Sequence, residues 1–247
     1  MAKTTLLGGR RLRVLLIGAV VASCAGIDSL PLGELLDTAG IQQQAALDDG
    51  TIAAGLKEAL QVGTDRTVQS TSRENGFLGN SLIRIALPEQ LEATAKGLRA
   101  VGFGSQVDEL EVSMNRAAER AAGEAAAVFI DAIRQMSFSD VRSIWQGPDD
   151  AATVYFRDKT SDDLRVRFGP IVDESMQQVG LARLYDDLLA KLARLPLVPQ
   201  PDLDLEEYVT DRALAGLFTV LEQEEAKIRT DPAARTTDLL RTVFGSG

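Results

Sequence analysis

The chain is 247 residues long, contains no histidine and one cysteine, and carries a formal net charge of −10. These facts exclude a Ser-His-Asp triad, a Cys-His nucleophile, histidine-ligated haem and a zinc site with nitrogen or sulfur ligands. The acidity argues against a nucleic-acid partner, whose phosphates require a basic face.

The first 23 residues read as a secretory signal. Lys3, Arg10, Arg11 and Arg13 precede an apolar run from Val14 to Val21, and Ala22-Ser23-Cys24 follows. A basic start, a run of roughly 7–15 apolar residues and a small-residue cleavage site are the three parts of such a signal. The run falls far short of the roughly 20 residues needed to span a bilayer. Val21-Ala22-Ser23-Cys24 resembles a lipobox, whose cysteine is acylated and becomes the new N-terminus, and two acyl chains make a stable anchor. Gly9-Arg10-Arg11-Leu12-Arg13 is a poor twin-arginine motif. Ala25 after the cysteine resembles an outer-membrane address. The expectation is a periplasmic protein, lipid-anchored through Cys24 to the inner leaflet of the outer membrane. Removing 23 residues leaves 224 of the 247, and removing four basic residues with no acidic ones takes the charge from −10 to −14. The chain then divides into a signal peptide (1–23), an acylated terminus and linker with a first helix over Leu32–Ala46 (24–46), and a folded domain (47–247).

Helical periodicity dominates the rest, so the expected fold is all-α: a single domain of about eight to ten helices around a long central one. Thr51 to Ser70 is a helix. Asn75-Gly76 and Gly79-Asn80 then break the pattern. Pro88 opens the helix Glu89–Ala100, which ends at Gly102. Ser105 to Met136 is the expected central helix, with Leu110, Met114, Ala117, Ala121, Ala125, Val128, Ala132 and Met136 on one stripe. Ser137 with Asp140 three residues later caps a short helix ending near Trp145. Asp150–Asp158, Ser161–Val179 and Leu181–Leu195 read as three more helices. Val154-Tyr155-Phe156 suits a strand by propensity but has nothing to pair with. A linker at Pro196–Pro201, a long helix Leu205–Arg229, an Asp231-Pro232 turn and a helix Thr237–Phe244 complete the chain.

Some charged residues sit in conspicuous places. Glu225 interrupts the apolar stripe Leu214, Leu217, Phe218, Leu221 and Ile228, and a carboxylate buried there needs a cation or hydrogen-bond donors. Arg229, one turn on, is the nearest partner; Arg235 and Arg116 are alternatives from other elements. Glu225 reads either as an acid–base or binding carboxylate in a cleft or as a buried ion pair fixing helix register, with the second favoured. Glu111, Asn115 and Glu119, spaced by four, form a polar ridge suited to a small polar ligand or a cation, or to hydrogen bonding between helices. Asn115, Arg116, Glu119, Glu225, Arg229 and Arg235 thus make up the candidate polar cluster. Asp202, Asp204, Glu206 and Glu207 lack the spacing of a calcium loop and suit a helix start. No metal or other cofactor is expected.

Several segments resemble one family. They are Asn75-Gly76-Phe77, Leu87-Pro88 with Leu91, Met114-Asn115-Arg116-Ala117-Ala118-Glu119, Gly147 with Ala152-Thr153-Val154-Tyr155-Phe156, Glu225 with Ile228-Arg229 and Pro232, and the closing Arg235-Thr236-Thr237-Asp238-Leu239-Leu240 with Val243-Phe244-Gly245. Together they are similar to the DUF4197 family over roughly Leu47 to the end. The resemblance implies an all-helical bacterial domain of unassigned function, often behind a lipoprotein signal. The expected role is a non-enzymatic binding or scaffold module at the membrane surface, with an envelope protein or small ligand as partner. The alternatives are a carboxylate- or arginine-based enzyme acting on envelope glycans or lipids, and an apolar-ligand carrier.

Overall fold

The computed structural model describes residues 48–178 and 203–245, with Asp187 and Ala190 in addition. The signal, Cys24, the expected first helix Leu32–Ala46, the linker Pro196–Pro201 and almost all of Leu181–Leu195 lie outside the described residues, so the expected total of eight to ten helices rests partly on segments beyond them. Leu47–Gly247 clusters as one unit.

The fold is all-helical. Helix α1 spans Asp49–Ser72, with the Asp48 carboxylate accepting from the Thr51 N–H at its start. Helix α2 is Glu89–Ala100 and α3 is Gly104–Ala122. Helix α4 is Ala125–Gln135 and α5 is Phe138–Trp145. Ser137 and Asp140 form a reciprocal capping box on α5, and the Ser137 hydroxyl holds the Asp140 carboxyl below its ordinary pKa. Helix α6 is Ala151–Gln178 and α7 is Leu205–Thr230, which Asp204 caps by accepting from the Glu207 N–H. A 3₁₀ turn at Pro232–Ala234 leads to α8, Asp238–Phe244.

Two elements differ from expectation. Ser105–Met136 is not one central helix but α3 and α4. The Gly123 N–H bonds to the Arg120 carbonyl and the Glu124 N–H to the Ala121 carbonyl, closing three-residue steps that tighten the end of α3. Glycine is a poor interior helix residue, and here it sits at the junction of the two helices. The apolar stripe continues through the break because both pieces face the same core. Conversely, the two helices expected over Asp150–Asp158 and Ser161–Val179 are joined in one, described over Ala151–Gln178. The polar stretch 159–161 stays helical, and there the Thr160 and Ser161 hydroxyls turn back onto the carbonyls of Phe156 and Arg157, at 2.6 Å each, rather than capping a new helix. Pro170 is accommodated inside α6, four residues after the exposed Val166.

The core gathers α1, α3, α4, α6 and α7. Phe129 meets Phe156 edge to face at 5.1 Å and lies 6.4 Å from Phe218. The alanines of α3, among them Ala117, Ala118, Ala121 and Ala122, are fully buried and let neighbouring helices approach closely. Residues 73–88 are not helical, yet they send Phe77, Ile83 and Ile85 into the core. Asn75 supplies the left-handed turn, with φ of 63°. Gly216 of α7 makes room for the inserted ring, since a Cβ there would lie 2.5 Å from Phe77 Cε1 and 3.1 Å from Ile83 Cβ.

Gly216→Ala therefore overpacks this contact. The expected loss is about 1–3 kcal/mol, measured by urea denaturation, with helical content at zero denaturant retained.

Candidate functional site

The six polar residues separate into two groups, each built around a buried carboxylate. Glu225 is 8% exposed. It projects from α7 at the start of α6, where the first N–H groups of a helix lack intrahelical partners. Its Oε1 accepts from the Ala152 N–H at 3.0 Å, and its Oε2 from the Thr153 N–H at 2.8 Å and the Thr153 hydroxyl at 2.9 Å. Arg229 donates to Oε1 from Nε at 3.1 Å and from Nη2 at 2.8 Å. These donors occupy the carboxylate's lone pairs.

Arg229 is itself tied down, because Nη2 also donates to the Ile144 carbonyl at 3.1 Å near the end of α5. One ion pair thus holds the end of α5 and the start of α6 against α7. Arg235 does not reach Glu225. It donates to the carbonyls of Ile228 at 3.2 Å and Arg229 at 2.8 Å, closing the C-terminus of α7. The neighbouring Glu224 turns to Lys227 and to Arg66 of α1.

The second group pins the inserted segment 73–88. Glu119, 3% exposed, accepts through Oε1 from the N–H groups of Phe77 and Leu78 at 3.1 and 3.2 Å. Its Oε2 accepts from Arg116 Nη1 at 2.6 Å. Arg116 Nη2 reaches on to Glu74 and to the Asn75 side chain, both at 3.1 Å. Asn115 is fully buried and pairs with the backbone of Ile85 as a strand would, accepting its N–H at 2.9 Å and donating to its carbonyl at 2.8 Å. Glu111, one turn earlier, takes Arg84 Nε at 2.8 Å. The ridge Glu111–Asn115–Glu119 thus satisfies a buried non-helical backbone. Among the described residues, no hydrogen bond or ion pair joins this group to that of Glu225.

A small cleft lies beside Glu225, enclosing about 360 Å³ of empty space, part of it open to solvent. Its other walls include Leu56, Leu60, Leu221, Ile228 and Phe244, and among the described residues no second carboxylate lines it. A more polar groove of about 700 Å³ runs between α4 and α6, with Asp131, Asp140, Tyr155, Lys159, Asp163 and Arg167 on its walls. Burial, followed by the nearby Asp140 charge, raises the Tyr155 hydroxyl above its ordinary pKa. Among the described residues, no group of three or more acidic side chains converges as a metal ion needs.

Sequence reading paired Glu225 with Arg229 but missed Thr153, whose backbone and hydroxyl both serve the carboxylate. Spacing along one helix gave no signal for it, because Thr153 lies 72 residues before Glu225. The groove between α4 and α6 was also missed, because its residues come from three elements with no shared spacing.

Glu225→Gln replaces an acceptor oxygen with an amide facing backbone donors and leaves Arg229 without its counter-charge. The expected loss of stability is about 3 kcal/mol in urea denaturation, with the other interactions of α7 retained. Thr153→Val removes only the hydroxyl contact, and a loss of about 1 kcal/mol is expected.

No curated protein matches the chain, and no solved structure does. The family described as "Protein of unknown function (DUF4197)" matches residues 46–245, nearly the whole of the folded part. That span includes both carboxylate groups and the inserted Asn75-Gly76-Phe77 segment. The chain belongs to the DUF4197 family.

Proposed function

We propose that the protein is an envelope lipoprotein whose helical domain is a non-enzymatic binding or scaffold module, held at the periplasmic face of the outer membrane by acyl chains on Cys24. The observation that carries the non-enzymatic part is the state of Glu225. An acid–base residue must exchange a proton with a substrate, whereas this carboxylate is enclosed by the N–H groups of Ala152 and Thr153, the Thr153 hydroxyl and Arg229. Glu119 is occupied in the same way by backbone donors and Arg116. The polar groove between α4 and α6 offers a place for a small polar ligand, with cationic and anionic side chains on its walls.

The anchoring part rests on the sequence Val21-Ala22-Ser23-Cys24 behind a basic and apolar leader. Among the described residues, no helix is long and apolar enough to cross a membrane, so a membrane role for the folded part relies on the lipid or on surface contact.

Cells expressing the protein and fed labelled palmitate are expected to label the wild-type chain and not Cys24→Ser. A wild-type chain that carries no label overturns the anchor. The non-enzymatic reading fails if Glu225→Gln folds with unchanged stability yet loses a measurable hydrolytic activity present in the wild type.

A further inference from the structure

A surface cleft at the start of α1 carries an unusual group of side chains. It encloses about 490 Å³ and is lined by Asp49, Ile52, Phe138, Val141, Arg142, Trp145 and Gln146. Phe138 is the first residue of α5 and is 71% exposed, although a phenyl ring gains by leaving water. Trp145 at the far end of α5 stacks edge to face on Phe244 at 5.3 Å, which fixes the indole beside the cleft. Asp49 and Arg142 pair across it at 2.8 Å, so the charges at its rim largely cancel.

Its position gives these residues meaning. Asp49 begins α1, and 24 residues, 25 to 48, separate it from Cys24. Fully extended, that stretch reaches about 80 Å and no more. The cleft is therefore the part of the described surface nearest in sequence to the proposed anchor. A tether makes any second contact with the same bilayer intramolecular, so a weak contact that fails in free solution becomes well populated. Phe and Trp are the side chains that favour the boundary between headgroups and acyl chains.

We infer that Phe138 and Trp145 form a membrane-contacting patch that seats the tethered end of the domain on the lipid surface. The inference rests on the proposed anchor at Cys24 for its biological setting, but the patch is a property of the domain alone. The lipid it suits is electrically neutral. The one acid and the one base that line the cleft, Asp49 and Arg142, pair with each other, which leaves no net positive charge to draw anionic lipid, and the chain after the signal carries −14. Anionic headgroups repel such a surface, so seating depends on inserting the Phe138 ring.

Trp145 is the one tryptophan in the chain, so its emission reports on this patch without a label. The test uses the chain from residue 24 onward with Cys24→Ser, mixed with phosphatidylcholine/phosphatidylethanolamine vesicles. The expected result is a blue shift of Trp145 emission, quenching by lipids brominated along the acyl chain, and weaker binding when phosphatidylglycerol is added. Phe138→Ser should weaken the partition about tenfold or more, with an unchanged far-ultraviolet dichroism spectrum. Val166→Ser is the control. Val166 is 74% exposed, and it lies about 22 Å along α6 from Ala151, well away from the cleft. That variant should bind as the parent does.

No emission change with vesicles overturns the patch, as does an equal loss in both variants. A shift that grows with protein concentration in the absence of vesicles also overturns it, and points to self-association instead. Because the protein in this test carries no acyl chain, its outcome is independent of palmitate labelling. A labelled wild type with no vesicle binding leaves the anchor standing and removes the patch; the converse leaves a patch without an anchor.

Discussion

The arrangement of α5, α6 and α7 depends on one carboxylate. Glu225 stands where an apolar side chain would complete the stripe of α7, and the fold tolerates it because backbone groups of two neighbouring helices converge there. The start of α6 has backbone donors with no carbonyl to receive them. The end of α5 has a carbonyl, that of Ile144, which takes a hydrogen from Arg229. A single Glu–Arg pair serves both while keeping its own charges balanced. Such a pair contributes little net stability compared with a well-packed hydrophobic substitute. Its contribution is geometric, because only one placement of α6 against α7 brings Ala152 and Thr153 to the carboxylate.

The same device recurs at the other end of the sequence range, applied to a segment with no helix to its name. Residues 73–88 place Phe77, Ile83 and Ile85 in the core, which forces their backbone into a region without water. Asn115 and Glu119 of α3 supply the missing hydrogen-bond partners, and Arg116 balances the charge. Gly216 of α7 accepts the ring on the opposite side. Polar and apolar parts of this insertion are therefore inseparable: the ring buries apolar surface only if its own backbone is paired.

Much of this was legible in the sequence. The spacing by four of Glu111, Asn115 and Glu119 marked a ridge, and the position of Glu225 within an apolar stripe marked a buried charge with Arg229 in reach. Ser137 and Asp140 announced their capping box three residues apart. The partners were less legible, because periodicity describes one helix at a time and says nothing about which backbone arrives opposite. Asn115 gave no sign that it would mimic a strand for Ile85. The break at Gly123 was hidden because the apolar stripe runs through it unchanged. The unity of α6 was hidden because Thr160 and Ser161 look like breakers until their hydroxyls are seen bonded to their own helix. The patch around Phe138 was invisible for a further reason: exposure depends on what fails to pack there, and sequence spacing carries no record of that.

The close contact of α8 with α1 bears on the order in which the domain can assemble. A Cβ at Gly55 would lie 2.5 Å from Val243, and Ala59, Ile228 and Leu240 share a small apolar cluster. These partners are separated by most of the domain's length, so α1 emerges early during synthesis and must wait for α8 to cover it. Until then Gly55 and Ala59 face outward on an otherwise finished helix. The chain therefore completes its packing only after its closing helix has been delivered, so the last residues made are among the first to be needed.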